Sequence, residues 1–508
     1  VPTFEFLTPH RSSGTTLADL IDADIRLVGG VPQTVITNVA VNGRELRANG
    51  LFAALPGRNE HGAQHYEQAV ASGAVAILTD PAGLAVIVDA CIPVLVTPDP
   101  RAVLGRVSAS IHGTAHRHPL LFGVTGTNGK TSTVHLLHAI LEQLRIPAGL
   151  SSTADRRSGT ATVASRLTSP EAPELHALLA RMNEDGVKAA ALEVSAQALT
   201  HRRVDGLVFD VAGFTNLSHD HLDEYASMSD YLDAKLRFFT AAHARRGVVL
   251  LDSSAGEEIR DRSQIPVTTV SSRPGTEADW LVRVLEVTPT STRFSLTGPK
   301  EDRLVCTVPL VGSHMAADAG LAIVMLVTGG IDFTRIADAL SGGVRVRIPG
   351  RTHLVSGASG PRVYTDFSHT PDSVDKTLAA LRAVTSGRLI VIIGADGEKD
   401  RTKRQPMGRA AARGADVVIV TDHHQRFEDP GQIRDALLSG ARQTDNDHIY
   451  EVPRPSEAIR TAISMAGAAD TILWVGPGET EYRIVRGEDV PFSAGADARL
   501  ALAEAGWT

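Results

Sequence analysis

Gly123-Val124-Thr125-Gly126-Thr127-Asn128-Gly129-Lys130-Thr131-Ser132-Thr133 decides how the rest of the chain is read. The apolar run Leu120, Leu121, Phe122 leads into it, and the helical pattern Val134, Leu136, Leu137, Ala139, Ile140, Leu141 leaves it. The spacing therefore predicts a strand, a tight glycine turn and a helix. Backbone N–H groups of such a turn, with the positive end of the helix, hold an anion. Lys130 adds a mobile charge and Thr131 a hydroxyl for Mg²⁺, so a nucleoside triphosphate is the natural ligand.

In the generic phosphate loop four residues separate the first glycine from the Gly-Lys pair. Here two separate Gly126 from Gly129-Lys130, and five separate Gly123 from it. The loop is a shortened variant, with Gly126, Thr127, Asn128, Gly129, Lys130, Thr131 and Ser132 as its phosphate-binding residues.

At 508 residues the chain suggests about three domains, each large enough to bury a core. Hydrophobic content of 43% and charged content of 21% describe a globular protein. No apolar run approaches the roughly 20 residues needed to span a bilayer, and no leader pattern is evident, so no membrane partner is expected. Cys91 and Cys306, the only cysteines, each sit in an apolar segment and are expected as buried thiols. The expected location is the cytoplasm, and the expected state a monomer or weak oligomer. A net charge of -8 argues against a nucleic-acid partner and leaves small-molecule substrates in local basic pockets.

From Val1 to Arg117, apolar segments at Val35 to Val41, Val75 to Leu78 and Val94 to Val96 alternate with helical patterns at Ala63 to Ala71 and Arg101 to Ile111. This predicts a small α/β domain, residues 1–117. The polar loop Pro56 to Gly62, with Arg58, reads as a turn.

Residues 118–346 form a longer α/β segment, with strands expected at Ala189 to Val194, Val211 to Phe214 and Val248 to Leu251. Alternation with helices predicts a doubly wound, largely parallel sheet whose functional residues lie at the carboxyl ends of strands. Glu193 and Ser195 end one strand, and Asn216-Leu217-Ser218-His219-Asp220-His221-Leu222-Asp223 follows another. Mg²⁺ takes hard oxygens and keeps several waters, which favours Glu193; His221 is an unusual ligand, and Asp220 or Asp223 could orient it. The plainer alternative is a solvated loop with Asp220 or Asp223 capping a helix. Lys235, on a helical stretch with Tyr231, Leu232 and Leu236, reads by position alone as a surface group.

Gly342-Gly343 through Arg351 reads as a basic linker. Residues 347–508 then give a second doubly wound, Rossmann-like pattern: strands at Arg362 to Asp366, Leu389 to Ile393, Val417 to Thr421 and Thr471 to Val475, with helices between. This unit has no phosphate loop of its own, so it is expected to deliver a second substrate.

These motifs, together with Leu167-Thr168-Ser169-Pro170-Glu171-Ala172-Pro173, Ala234-Lys235, Pro349-Gly350-Arg351 and Asp366-Phe367-Ser368-His369-Thr370-Pro371, resemble the Mur ligases over nearly the whole chain. The likeness is strongest to the MurE, or tripeptide synthetase, type of actinobacteria. It implies a three-domain α/β fold and a reaction in which ATP and Mg²⁺ convert a nucleotide-linked peptide carboxylate to an acyl phosphate. An amino acid then captures that intermediate as an amide. The resemblance implies catalytic roles for Lys130, Lys235 and His221, and Mg²⁺ sites at Thr131, Glu193, His221 and Lys235. It implies that Lys235 is carbamylated, against its reading as a surface lysine. Arg351, Asp366 and His369 match nucleotide-contacting positions, while Thr168, Ser169, Ser195 and Arg203 match positions that hold the UDP-sugar peptide.

The sequence departs from the family pattern at several points. The Asp-Ser-Arg uridine motif falls at Asn42-Gly43-Arg44, and Ala196-Gln197 replaces Ser-His after Ser195. Met315 and Asp318 stand where a nucleotide-proximal motif has asparagines. The diaminopimelate signature Asp-Asn-Pro-Arg falls at His423-His424-Gln425-Arg426, and Gly-Lys-Gly-His-Glu at Gly476-Pro477-Gly478-Glu479-Thr480. Arg404 and Arg426 could hold two carboxylates, yet the groups that would grip a distal ammonium have become His424 and Thr480, so meso-diaminopimelate is not expected to be preferred. His423 and His424 lack metal-site spacing and are expected in a substrate-contacting or exposed loop. The expected activity is amino-acid addition to a UDP-muramoyl peptide in cell-wall synthesis. The alternatives are a paralogue acting on another carboxylate and a nucleotide-binding regulator without turnover.

Overall fold

A computed structural model describes residues 6–507 except 13, 58, 88–90, 117, 300 and 301. Arg58 of the polar loop and Arg117 at the expected first boundary lie outside the described residues.

The phosphate-loop strand Leu120–Thr125 lies within an eleven-stranded sheet, flanked by Ala189–Glu193 and Phe209–Phe214, both parallel to it. The apolar runs are continuous because both faces of these strands are covered. Phe122, Val124, Ala189 and Ala191 enter one core, shared with the helices Lys130–Gln143 and Ser313–Thr328. Leu121, Ala190 and Leu192 enter the opposite core, shared with Ala172–Glu184. Antiparallel additions extend both edges: Asp155–Ser158 and Ala161–Ala164 on one side, Thr292–Thr297 and Arg303–Val308 on the other.

The C-terminal sheet has six strands in the order His353–Leu354, Arg362–Asp366, Thr471–Val475, Leu389–Ile393, Val417–Val420, Ile449–Glu451. Side-chain alternation again sends Leu389, Val391 and Ile393 to one core and Ile390 and Ile392 to the other. An unforeseen hairpin, Tyr482–Val485 with Glu488–Pro491, follows the last central strand. Near the amino terminus, Arg26–Val28, Val94–Val96, Ala74–Thr79, Gly50–Ala53 and Asn38–Ala40 form a five-stranded sheet.

Cys306 is buried as expected, but Cys91 is exposed, in the connection between the helix Pro81–Val86 and the strand Val94–Val96. Among the described residues no helix is long and apolar enough to cross a membrane.

Candidate active site

The phosphate loop depends on two glycines. Gly126 has φ +149, and a Cβ there would stand 1.8 Å from the Thr215 hydroxyl. Gly129, at φ +84, is the N-cap of the helix Lys130–Gln143. Lys130 Nζ donates to the carbonyls of Gly126 (3.0 Å) and Thr127 (2.8 Å). Burial lowers its pKa, opposed by the charges of Glu193 and Asp220.

Lys235 does not lie on the surface. It is fully buried, and its Nζ donates to Gly126 O at 2.9 Å, the same carbonyl that Lys130 uses. Desolvation, then repulsion from Lys130, holds its amine well below the ordinary lysine range. Glu193, 2% exposed, accepts from Thr153 N (2.7 Å) and Thr153 Oγ1 (3.1 Å).

The capping alternative for Asp220 and Asp223 fails: Ser227 caps the next helix, Met228–Leu236, by accepting from Asp230 N. Asp220 is instead a buried anion. Its Oδ1 accepts from Lys403 Nζ at 2.8 Å, and its Oδ2 stands 3.6 Å from His369 Nε2. Burial opposes its ionisation, but the neighbouring His369 ring and the Lys403 charge prevail, holding the carboxyl well below the usual range. His221 has φ +59, in the left-handed region, which places its ring between Gln197 and Asp220. Gln197 Nε2 lies 2.9 Å from Nδ1, and Asp220 Oδ2 lies 3.5 Å from Nε2. Burial pushes the His221 pKa down to about 4, so the ring is neutral at pH 7.

The C-terminal domain closes directly on this loop. Arg351 Nη2 donates to Thr131 Oγ1 (3.0 Å), and Asn128 Nδ2 donates to Asp372 Oδ2 (2.9 Å). Thr370 Oγ1 donates to Asn128 Oδ1 at 3.2 Å. The Asp366 carboxylate accepts from the backbone N–H groups of Thr352 (2.6 Å) and Ser368 (2.7 Å), which brace the linker. Sequence reasoning missed Lys403, Thr153 and Asp372; only the fold shows that Asp372 meets the loop at Asn128, Lys403 meets Asp220 and Thr153 meets Glu193.

Ser169, Ser195 and Arg203 gather beside Glu193. Ser169 Oγ donates to Glu193 O (2.8 Å) and accepts from Ser195 N (3.0 Å). Arg203 Nε donates to Glu171 Oε1 at 2.9 Å, and Thr168 accepts from Thr153 Oγ1 at 3.1 Å. Asn42 and Arg44 form a self-contained turn in which Asn42 Oδ1 accepts from Arg44 N at 3.1 Å.

Beyond Lys403 lie the other altered positions. Both terminal nitrogens of Arg404 are held by Glu428, at 2.7 and 2.8 Å, so its fork is already filled by an internal carboxylate. Arg426 forms no ion pair among the described residues, and its buried Nε has no partner there. His423 and His424 are not exposed: the His423 side chain is 9% accessible, and both rings stand with Asp396 in one cluster whose nitrogen and oxygen atoms lie within 4.8 Å. Burial depresses the His423 pKa to about 3. Gly476, at φ +111, lies against the His423 ring. Thr480 belongs to a turn, its N–H donating to Pro477 O at 3.0 Å. The neighbouring Glu479 does not substitute for a glutamate at Thr480, because Arg347 (2.8 Å) and His353 (2.9 Å) hold its carboxylate.

Three family descriptions cover this arrangement in chain order. The Mur ligase family catalytic domain matches residues 35–112, the Mur ligase middle domain residues 124–326, and the Mur ligase glutamate ligase domain residues 350–478. A UDP-N-acetylmuramyl-tripeptide synthetase of Leifsonia xyli subsp. xyli is 53% identical over 99% of this chain and 98% of its own. The chain belongs to the Mur ligase family. A UDP-N-acetylmuramoyl-L-alanyl-D-glutamate--2,6-diaminopimelate ligase of Streptomyces avermitilis is 38% identical, covering 98% of this chain and 97% of that one. The crystal structure of MurF ligase from Thermotoga maritima in complex with ADP shares the fold, with a TM-score of 0.63 at 16% identity over 86% of this chain and 93% of that one.

Proposed function

We propose that this protein is an ATP-dependent, ADP-forming ligase that joins an amino acid to the peptide carboxylate of a UDP-N-acetylmuramoyl peptide in peptidoglycan synthesis. The observation that carries the reading is a phosphate loop closed by a second α/β unit through Arg351–Thr131 and Lys403–Asp220. The full-length likeness to tripeptide synthetases supports the substrate, and the ADP complex of a MurF ligase supports the nucleotide. The division of labour follows the segments 1–117 for the UDP moiety, 118–346 for ATP and 347–508 for the amino acid.

The peptide carboxylate attacks the γ-phosphorus, the bond from that phosphorus to the β,γ-bridging oxygen breaks, and ADP leaves. The amine nitrogen then attacks the acyl carbon, inorganic phosphate leaves and the amine loses a proton. Lys130 balances charge on the phosphates, while the Arg351, Lys403 and His369 contacts hold the domains shut and keep water from the acyl phosphate. Thr131 and Glu193 offer the hard oxygens that suit Mg²⁺. His221 offers Nε2 to a metal when Gln197 turns its carbonyl oxygen to Nδ1, since Nδ1 must then carry the proton. When bound, Mg²⁺ neutralises charge developing on the transferred phosphoryl group. A buried lysine with a depressed pKa keeps a neutral amine, the form that adds CO₂, so Lys235 is the carbamylation site.

Mass spectrometry after incubation with ATP, Mg²⁺, UDP-N-acetylmuramoyl dipeptide and mixed amino acids tests the reading. A UDP-muramoyl tripeptide is expected; absence of any amide product refutes it. The missing aspartate and serine of the uridine motif at Asn42-Gly43-Arg44 favour, as a second reading, a different acceptor carboxylate. That reading expects ADP release with other acids and none with the UDP-muramoyl dipeptide.

A further inference from the structure

Arg351 carries the linker's contact with the phosphate loop, but Arg345 and Arg347, two residues apart in the same linker, line a separate cleft of about 360 Å³. One wall of it is a face of the helix Lys130–Gln143, where His135, His138 and Glu142 recur at three- and four-residue spacing. Arg157, from the strand Asp155–Ser158, supplies another. Gln143 fixes the linker to the helix: its Nε2 donates to Gly343 O (3.1 Å) and its Oε1 accepts from Arg345 N–H (2.7 Å). Lys130 opens this helix and Gln143 ends it, so the cleft lies toward the end remote from the phosphate loop, on a helix about 20 Å long.

The charges around the cleft are unevenly matched. The Arg345 guanidinium pairs with no carboxylate among the described residues. Arg157 is held by Asp155 at 2.7 Å and Arg347 by Glu479 at 2.8 Å, but their side chains are 31% and 67% exposed. Such solvated pairs are weak, and each guanidinium keeps nitrogens for a further acceptor. Glu142, the carboxylate in the lining, is engaged, its Oε1 accepting from Ala148 N–H at 3.1 Å. The negative end of the helix is met by Arg335, which donates to Leu144 O at 2.8 Å. His138 registers the positive field: burial first, then the Arg157 charge, pushes its pKa down to about 4. Among the described residues no three of the lining His and Glu groups gather closely enough to hold one metal ion.

The geometry points to a second anion site, separate from the phosphate loop, in which Arg345, Arg347 and Arg157 hold the phosphoryl oxygens of a small phosphorylated molecule. Guanidinium forks match the edges of a tetrahedral oxyanion, and three of them from two segments exceed what one carboxylate can occupy. The volume is at the lower end of small-ligand pockets, room for a phosphorylated metabolite and not for a macromolecule. A ligand there bridges the linker and the nucleotide-binding unit.

Equilibrium dialysis of radiolabelled inorganic pyrophosphate against the full chain tests the site, with saturating ADP present so that the phosphate loop is filled. One pyrophosphate per chain is expected beyond the loop, with an affinity that ADP does not compete away and that falls as salt rises. Arg345→Ala, a change at an exposed side chain, should lower that affinity about 10-fold or more. Arg345→Lys should recover only part of it, since an ammonium keeps the charge and lacks the fork. Lys130→Ala should leave it unchanged. No binding beyond the loop, displacement by ADP, or equal affinity in Arg345→Ala overturns the inference. Citrate bound as tightly as pyrophosphate overturns it too, because the cleft would then select charge and not the phosphoryl group.

Discussion

Replacing Asp318 with asparagine tests what the family's missing asparagine has become. Asp318 is 5% exposed on the helix Ser313–Thr328, and its Oδ1 lies 2.7 Å from where a Gly129 Cβ would be, directly behind the phosphate loop. Burial pushes its pKa up to about 8, against the lowering charges of Lys376 and Arg351. At pH 7 it is therefore a neutral acid, with one O–H donor and one carbonyl acceptor, as an amide has. The sign follows from linkage: the unfolded chain releases this proton near 3.8 and the folded chain near 8. Stability present below pH 3.8 is thus lost progressively up to about pH 8 and is constant above it, at about 1.4 kcal/mol per pH unit. Between pH 5 and pH 7 that is at most about 3 kcal/mol, less whatever local relaxation recovers. Asp318→Asn, with no proton to lose, should be more stable than the wild type at pH 7.5, with the gap closing toward pH 5. Its KM for ATP should stay flat above pH 8, where an ionised Asp318 weakens polyphosphate binding in the wild type. Melting temperature against pH, with KM for ATP at the same points, measures both. A stability gap independent of pH, or a wild type more stable at pH 8, would refute the reasoning.

Three further outcomes follow from the site. Lys235→Ala should abolish turnover, and added formate or acetate should restore part of it by supplying the missing carboxylate-like oxygen; activity unaffected by the substitution would exclude carbamylation as a requirement. Lys403→Ala leaves Asp220 as a buried, partly uncompensated anion, a change worth about 3 kcal/mol or more. It should loosen the closed form, seen as a larger radius of gyration by X-ray scattering and a lower kcat, with ATP affinity little changed. Gln197→Ala frees the His221 ring and should lower kcat about 10-fold while raising the Mg²⁺ concentration needed for half-maximal rate; an unchanged Mg²⁺ requirement would remove His221 from the metal site.

The legible parts of the sequence were those whose signal is local. Gly126 to Thr131 could be read because glycine positions, helix start and apolar strand fall within a few residues. The runs Ala189 to Glu193 and Leu389 to Ile393 could be read because strands covered on both faces have no polar side. The strand Asp155–Ser158 was not legible: Asp-Arg-Arg-Ser has no apolar face, and the strand exists because its backbone pairs with Leu150 and Ser151. Asp220 misled for a related reason. An aspartate before a helix is a good cap on local grounds, but Ser227 stands nearer the helix start, and Asp220 is claimed by Lys403, 183 residues away in sequence.

The same distinction separates what the altered pocket displays in its sequence from what it does. Replacing asparagine by His424, and glutamate by Thr480, reads locally as the loss of cation binding. In the fold, Glu428 closes Arg404 and the Arg347–His353 pair withdraws Glu479, while Asp396 Oδ1, 3.6 Å from His423 Nε2, has no hydrogen-bond partner among the described residues. Negative charge has thus moved from the positions the motif names to one that it does not. Specificity in such a pocket is set by which charges remain unpaired after the protein has satisfied its own. An inventory of motif residues cannot supply that count, because each pairing joins segments tens of residues apart.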